Sequence, residues 1–427
     1  MTPGYDKKQV IAWALYDWAN SAFVTTVMAG FFPLFFKQYW SAGADVTVST
    51  FRLGVANSLA SIVVALLAPV LGAIADRGHT RKRFLLGFAL LGMVMTGGLF
   101  GVGQGAWDTA IILYVLATVG FSGGNIFYDA LLVTVADMSR RDMVSALGFA
   151  LGYLGGGILF AWNVVMTLYP SFFGLASASE AVRVSFLSVA LWWGLFSLPL
   201  FSWVKESNLG EPSTGWGAVR AGWTQLRATF QDVRQLRVVF LFLLGYWLYI
   251  DGVDTIVRMA IDYGMSLGLQ AQDLIVALLV TQFVGFPAAI AFGKLGEKIG
   301  AKRGIFLGLG VYVGVTLWGF FLRQEWEFYA LAIAIGLVQG GVQALSRSLY
   351  TRLIPENKAT EFFGFYNMLG KFAAVIGPTL MGGVGVLTGN PRYAVFSILI
   401  LFLGGAFFLS RVDIKEGQQM ARRLANL

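Results

Sequence analysis

The sequence contains no cysteine and one histidine, His79, among its 427 residues. Disulfides, zinc–thiolate centres and thiol nucleophiles are therefore excluded, and so are histidine metal sites and histidine-based triads. The chain also lacks the GxxxxGK(S/T) loop that cradles nucleotide phosphates, which argues against ATP as an energy source. Charge is scarce as well, since 13% of the residues are charged against roughly 25% in soluble domains. So little charge cannot cover a water-soluble surface, and the composition indicates an integral membrane protein.

Apolar runs fill most of the chain, which is 57% hydrophobic with a mean hydropathy of +0.70. A membrane-spanning helix needs about 20 apolar residues. The first run is too long for a cleavable signal and contains Asp17, so we interpret it as a membrane helix. The sequence predicts about twelve spans, near 10–38, 50–75, 84–103, 109–136, 145–169, 181–204, 238–262, 271–293, 304–322, 327–351, 361–387 and 392–410.

The loops between these runs alternate in charge, and most of the 31 Lys and Arg residues lie in loops on one side. Cytoplasmic loops carry such an excess of Lys and Arg. We therefore expect a multi-pass protein of the bacterial inner membrane with both termini and the central loop in the cytoplasm. The same loops account for the net charge of +8, so nucleic acid is not an expected partner.

The longest polar stretch divides the predicted spans six and six. The expected organisation is a first helical bundle over 1–204, a linker over 205–237, a second bundle over 238–411 and a cytoplasmic tail over 412–427. Within the linker, apolar residues recur at spacings of three and four beside several arginines. This pattern predicts an amphipathic helix at 216–237 that lies on anionic lipid headgroups or, alternatively, packs on the protein's own cytoplasmic loops.

Part of the first span returns in the seventh span. Two aligned sets of residues carry this repeat: Trp13, Asp17, Asn20 and Ser21 in the first copy, and Trp247, Asp251, Asp254 and Thr255 in the second. An ionisable side chain inside a membrane helix is costly and usually functional. Its appearance in both halves of the chain indicates a duplicated transporter whose working site lies between the halves.

A second repeat occupies the loops after spans 2 and 8. Each copy has a glycine, then an acid and a base, then a basic cluster: Gly72, Asp76, Arg77 and Arg81 in one, and Gly293, Glu297, Lys298 and Arg303 in the other. Glycine lets two helices approach, and the acid can face a neighbouring helix N-terminus. The pair resembles the signature loop of the major facilitator superfamily, from which His79 and Thr80 depart. The resemblance implies an all-α membrane protein with twelve transmembrane helices in two pseudo-symmetric six-helix bundles, in which these loops act as conformational switches.

Further motifs resemble the vacuolar amino-acid effluxers (autophagy-related permeases) of this superfamily. They lie at 16–23 in span 1, 251–256 in span 7, 339–348 in span 10, and 363–366 followed by Lys371 in span 11. The motifs are spread over nearly the whole chain. Eukaryotic members of that family act at the vacuole and are associated with amino-acid export, so the resemblance implies this function here.

Span 7 places Asp251, Asp254, Arg258 and Asp262 along one helix face, because their spacings are three and four. Asp254 and Arg258 can pair within the helix, whereas Asp251 has no such local partner. A dehydrated carboxylate can cycle a proton or bind an amine, and the alternative is a structural ion pair. A Mg²⁺ site is disfavoured by the neighbouring Arg258, so neither a metal nor a cofactor is expected.

The resemblance places spans 1, 4, 7 and 10, with part of 11, around a central cavity. The expected solute and ion pathway is formed by Asp17, Asn20, Asn125, Asp129, Asp251, Asp254, Arg258, Gln343, Arg347 and Lys371. A zwitterion needs such a site, with a base for its carboxylate and an acid for its ammonium group, although inter-helix salt bridges would give the same pattern. The abundant Phe and Trp residues are expected to face mainly lipid.

The sequence thus predicts a monomeric secondary transporter rather than an enzyme. It is expected to move a small polar solute, an amino acid or similar zwitterion, by alternating access, coupled to protons and directed to export. The expected partners are the solute, protons and membrane lipids. Two alternatives remain open: an exporter of amphipathic drugs or organic ions, whose sites usually carry fewer buried charges of both signs, and a non-transporting receptor or scaffold.

Overall fold

The computed structural model describes residues 6–44, 46–78, 80–206 and 236–425, and no strand occurs among them. This confirms the predicted all-α class for the described part of the chain. Residues 207–235 lie outside it, and with them most of the expected linker at 205–237 and of the predicted helix at 216–237. His79 lies outside it too.

Thirteen helices are numbered here in chain order. They are α1 Lys7–Trp40, α2 Val46–Gly78, α3 Arg81–Gly98, α4 Trp107–Ala130, α5 Arg141–Leu168, α6 Ala178–Trp203, α7 Arg237–Ser266, α8 Ala271–Ile299, α9 Ala301–Phe321, α10 Glu325–Thr351, α11 Ala359–Thr388, α12 (Pro391–Ser397 continued by Leu399–Ser410) and α13 Ile414–Ala425. Short helical turns lie at Leu99–Gly101, Leu132–Val135, Pro170–Phe173 and Glu356–Lys358.

Each predicted apolar run coincides with one of α1 to α12, with ends that differ by a few residues. Within the described residues, ten of these helices are long and apolar enough to cross a membrane. The other two, α2 and α11, contain several residues whose side chains are not described. The protein is therefore a multi-pass helical membrane protein, and the number of twelve spans stays a prediction.

Local sequence signals account for several helix ends. Ser177 begins α6 because its hydroxyl accepts from the Glu180 N–H at 3.2 Å, which satisfies one of the free donors at a helix N-terminus. At the start of α10, Gln324 and Glu327 form a reciprocal capping box. Gly389 ends α11 with a positive φ of 64°, a conformation that glycine adopts without strain.

The first helix departs from regular α geometry. It is π-helical over Phe23–Phe31 and again over Phe36–Trp40. Such segments are rare and frequently occur at functional sites. The first of them buries the hydroxyl side chains of Thr25 and Thr26 in the protein interior.

Several loops meet at one end of the molecule, which we call the basic end. The Lys205 N–H donates to Gln9 at 2.9 Å and so joins the chain just after α6 to the start of α1. The basic side chains at this end include Arg81, Lys82, Arg140, Arg141, Lys302, Arg303 and Arg352. The end of α2 contacts the start of α11 here, because a Cβ at Gly72 would lie 2.6 Å from the Thr360 carbonyl oxygen.

Buried apolar residues form two main clusters that follow the two halves of the chain. One cluster lies within 10–204, and the other lies within 236–412 apart from Ala130. The expectation that Trp faces lipid is wrong for Trp13, Trp40 and Trp193, which are fully buried. These large rings fill the space between helices of the first half, where their area contributes most to packing.

Candidate functional site

Arg347 of α10 is the centre of a buried charge cluster near the basic end. Its side chain is 3% exposed, and its Nη1 lies 3.0 Å from Asp129 Oδ1 of α4 and 3.5 Å from Asp17 Oδ2 of α1. Its Nε donates to the hydroxyl of Ser145 in α5, and its Nη2 donates to the Ser145 carbonyl, both at 2.9 Å. Arg347 therefore joins α10 of the second half to three helices of the first half.

Aromatic residues hold Asp17 and Arg347 in place. The Tyr128 hydroxyl donates to Asp17 Oδ2 at 2.8 Å. Trp13, one turn before Asp17, donates its Nε1 to the Tyr128 carbonyl at 3.0 Å and stacks on the Tyr128 ring with centroids 4.6 Å apart. The Arg347 guanidinium lies 4.8 Å from the Trp13 ring centroid and 4.3 Å from that of Phe149, within the range of cation–π attraction.

Asp129 is held from α11 as well. The side-chain amide of Asn367 donates to Asp129 Oδ2 at 3.2 Å and to the Phe363 carbonyl at 3.0 Å. Neither Asn367 nor Ser145 was among the residues predicted from the sequence. The sequence could have indicated Asn367, because it lies four residues before the predicted pathway residue Lys371 and therefore on the same helix face. No such indication exists for Ser145, because an isolated serine in a membrane helix is common.

Two further pairs of polar side chains lie between helices. In the first half, Asn20 of α1 donates to Asn125 of α4 at 2.8 Å. Between the halves, the Tyr153 hydroxyl of α5 donates to Gln343 of α10 at 3.2 Å. The structure thus joins the predicted residues Asn20 and Asn125 to each other, and it gives Gln343 a partner that the sequence did not indicate.

Asp251 is fully buried against the backbone of α11. Both of its carboxylate oxygens accept from the Gly377 N–H, at 3.0 and 3.1 Å, and Oδ1 also accepts from the Thr255 hydroxyl at 3.4 Å. Thr255, one turn further along the same helix, thus gives Asp251 a neutral hydrogen-bond donor, whereas the sequence places a base, Arg258, one turn beyond Asp254. Gly377 directly precedes Pro378, so Asp251 binds α11 where proline interrupts helical hydrogen bonding.

The remaining predicted residues of the pathway are only partly described. Asp254 is half-buried and close enough to Tyr153 and Tyr246 to act on both electrostatically. The side chains of Arg258 and Lys371 lie outside the described part of the structure. The described residues therefore bring Asp17, Asp129 and Arg347 into one cluster and place Asp251 in another environment.

A second set of contacts joins the halves at the basic end, and we call it the latch. Asp142 of α5 is 1% exposed, pairs with Arg352 at 2.8 Å and accepts from the Ser348 hydroxyl. The adjacent Arg141 donates to the Thr351 carbonyl at 3.2 Å and pairs with Glu356. The latch thus consists of two neighbouring residues of opposite charge that bind the end of α10 and the turn after it.

The two signature loops pack against the opposite half of the chain. Gly72 lies against the start of α11, and a Cβ at Gly293 would lie 2.6 Å from Ala146 of α5. The Arg81 N–H donates to Glu206 at 2.6 Å. Of the remaining predicted loop residues, Glu297, Lys298 and Arg303 are exposed, and the side chains of Asp76 and Arg77 are not described.

Two lysines near these loops occupy matching places in the two halves. Lys82 at the start of α3 donates to the carbonyls of Phe201 and Val204, at 2.9 and 2.6 Å, where α6 ends. Lys302 at the start of α9 donates to the carbonyls of Ser410 and Val412, at 3.0 and 2.7 Å, where α12 ends. The same helix-end contact in both halves supports an internal duplication.

The arrangement of the helices is the fold of the solved transporters of the major facilitator superfamily. The chain matches the proton:xylose symporter XylE with a TM-score of 0.76 over 98% of this chain and 99% of that chain, at 13% identity. It matches the transporter FucP, solved in the outward conformation, with a TM-score of 0.72 over 95% and 100% of the two chains, at 12% identity.

Sequence comparison gives the particular family. The family described as "Vacuole effluxer Atg22 like" matches residues 41–422, and the chain belongs to this family. It is 39% identical to the uncharacterized MFS-type transporter YxiO of Bacillus subtilis over 98% of both chains. It is 29% identical to autophagy-related protein 22 of Yarrowia lipolytica over 68% of this chain and 53% of that protein. These findings confirm the resemblance drawn from the motifs.

Proposed function

We propose that this protein is a secondary transporter that moves a small zwitterionic solute, an amino acid or a similar compound, by alternating access. The transport is coupled to protons and directed to export. One observation carries the proposal: a buried guanidinium and two carboxylates meet where the two halves touch. Buried charges of both signs are costly to maintain. These charges lie between the two halves that move against each other in alternating access, and this position supports a role in transport.

Alternating access requires two bodies that rock against each other. The separate apolar clusters of the two halves support two six-helix bundles and twelve spans. By the positive-inside rule, the basic end faces the cytoplasm of a bacterial inner membrane and both termini lie there. The Arg347 cluster and the latch then hold the cytoplasmic end together in this conformation.

The cluster contains charges of both signs, as a zwitterion needs, but in this conformation these charged groups bind each other. Arg347 donates from Nε, Nη1 and Nη2 to Asp17, Asp129 and Ser145, so few donors remain for a solute carboxylate. When the halves part at the basic end, Arg347 and Asp129 separate. Arg347 can then bind the solute carboxylate, and the freed carboxylate of Asp129 can bind its ammonium group.

Export is supported by the name of the family, which describes an effluxer. The protein acts as a monomer, and the basic segment 216–237 binds anionic lipid headgroups. An exporter of organic ions remains the second candidate, because the human structural neighbour MFSD10, with a TM-score of 0.70, is an organic anion transporter.

The test is transport by the purified protein in liposomes. A thermal-shift screen of amino acids, amines, carboxylates and amphipathic drugs first identifies a stabilising solute, and its flux is then measured under an imposed pH gradient. We expect zwitterions to be transported and single-charge analogues to be rejected. Arg347→Gln should lower transport about 100-fold, since a charge-assisted bond contributes about 3 kcal/mol.

The matched control is Arg183→Gln at the opposite end, where the arginine donates to the Phe100 carbonyl at 2.8 Å. This variant should transport as the wild type does. Transport of organic ions in preference to zwitterions would favour the second candidate. If no solute stabilises the protein or crosses the liposome membrane, the transporter proposal fails.

A further inference from the structure

The Arg347 cluster holds more negative than positive charge. Asp17 and Asp129 each bring a carboxylate, and Arg347 is the base that contacts them among the described residues. All three side chains are at most 13% exposed. With both carboxylates ionised, these three described side chains have a net charge of −1 in a poorly solvated place, and an uncompensated buried charge is strongly unfavourable.

The two carboxylates are not held equally. Asp129 has Arg347 at 3.0 Å on one oxygen and the Asn367 amide at 3.2 Å on the other. Asp17 uses a single oxygen, Oδ2, for both Tyr128 at 2.8 Å and Arg347 at 3.5 Å. Its Oδ1 accepts no hydrogen bond from the side chains and backbone that the structure describes. Asp17 is thus the carboxylate with the weaker hold on Arg347 and with one oxygen available.

Among the groups around Asp17 that the structure describes, Arg347 carries the positive charge and the others add none. From α4 it faces Tyr128 and Asp129, from α5 Tyr153 acts on it electrostatically, and from α10 it faces Arg347. The close approach of α5 depends on Gly148, where a Cβ would lie 2.7 Å from Asp17 Oδ2. The described neighbours that bond Asp17 and Asp129 are hydrogen-bond donors, so they do not form the oxygen-lined cage that a metal cation needs.

We propose that Asp17 Oδ1 is the proton-binding site of the transporter and that it is occupied while the basic end is closed. This inference rests on the proposed transport function and assigns its coupling ion to one atom. A proton from water on the side of the membrane opposite the basic end binds Oδ1 and makes these three side chains neutral. When the halves part at the basic end, Asp17 becomes solvated and passes the proton to water there. One proton therefore crosses the membrane in each cycle, opposite to the exported solute.

The experiment compares three proteins in the same liposomes: wild type, Asp17→Asn and Asp273→Asn. Asparagine has the shape of the protonated acid but cannot exchange a proton. Asp273 of α8 is a matched control, because it is a partly buried carboxylate that also accepts from a tyrosine hydroxyl, that of Tyr329 at 2.9 Å, but within the second half alone. For the wild type we expect accumulation of about tenfold for each pH unit, as one-to-one exchange requires.

Asp17→Asn should still exchange solute for solute but should lose pH-driven accumulation and proton flux, whereas Asp273→Asn should keep both. Retained pH-driven accumulation in Asp17→Asn overturns the assignment and leaves the transport function intact. Absence of transport in the wild type instead refutes the proposed function. The two failures are therefore distinguishable.

Infrared difference spectra give a second readout that does not depend on solute flux. The wild type should show a protonated-carboxyl band that disappears in Asp17→Asn and persists in Asp273→Asn. This measurement still decides the question if Asp17→Asn transports nothing. A wild type without such a band, or a band that remains in Asp17→Asn, overturns the proposal.

Discussion

Asp142 at the start of α5 lies 2.8 Å from Arg352 just after α10 and forms a buried ion pair between the two halves of the chain. Opening of the basic end must break this pair and expose both charges to water. Asp142 also accepts a hydrogen bond from the Ser348 hydroxyl. Both of these partners belong to the second half, so the Asp142 carboxylate keeps them only while the basic end is closed. The latch therefore favours the conformation seen here.

Asp142→Asn should shift the protein toward the form that is open at the basic end. Breaking one partner of a buried pair costs about 3–5 kcal/mol, and an open state that solvates Arg352 avoids part of this cost. The absence of cysteine makes thiol labelling a direct measurement. A cysteine introduced at the buried Ala344 of α10 should react at least several-fold faster in Asp142→Asn.

The control for labelling is a cysteine at Ala89, which is buried within the first half and should react equally slowly in both backgrounds. In the double variant Asp142→Asn/Arg352→Gln, neither charge of the pair is left without its partner. The labelling rate of Ala344→Cys should therefore rise less than the sum of the effects of the two single substitutions predicts. Equal labelling of Ala344→Cys with and without Asp142→Asn would contradict the role of the latch.

Gly377→Ala should destabilise the protein and impair transport. A Cβ there would overlap the Thr255 hydroxyl and lie 3.0 Å from Asp251 Oδ1, so α7 and α11 would be forced apart where Asp251 binds the α11 backbone. Overpacking of this kind costs about 1–3 kcal/mol. The thermal unfolding midpoint in detergent measures it, with Gly383→Ala in the same helix as the control, because a Cβ at Gly383 meets nothing within 4 Å. Equal midpoints for the two variants would refute this packing argument.

Lys82→Met and Lys302→Met should each lower the unfolding midpoint by a similar amount. Each lysine satisfies two carbonyls at a helix end, and we expect about 1 kcal/mol from each because both lie near the surface. The exposed Lys298→Met is the control. The two lysines lie in different halves, so their effects should add in the double variant, and a large deviation from additivity would show that the two contacts are coupled.

Glu206→Gln should raise the unfolding midpoint at neutral pH. Burial against the start of α3 raises the pKa of the Glu206 carboxyl above its usual value. An acid with a raised pKa in the folded state stabilises the fold most in acid, and that contribution is lost as the pH rises through the folded-state pKa. The difference between the variant and the wild type should therefore close as the pH is lowered. A difference that widens in acid would contradict this assignment.

The sequence by itself determined the class and much of the charge cluster. Its scarcity of charge and its long apolar runs indicated membrane helices. Hydrocarbon offers the backbone no hydrogen-bond partners, and an apolar run of about 20 residues satisfies its own N–H and C=O groups by forming a helix. Asp17, Asp129 and Arg347 could be selected individually, since an ionisable residue in such a helix is conspicuous. The motifs also sufficed to indicate the superfamily and the family.

Only the tertiary structure decided which of these charges meet. Sequence spacing fixes neighbours along one helix, and it gives no distance between α1, α4 and α10. Asp251 and Asp17 occupy equivalent places in the repeat, yet Asp251 binds the backbone of α11 while Asp17 reaches Arg347. The contributions of Ser145 and Asn367 also depend on how helices pack, because a neutral polar side chain in a membrane helix acquires its role from the partner that faces it.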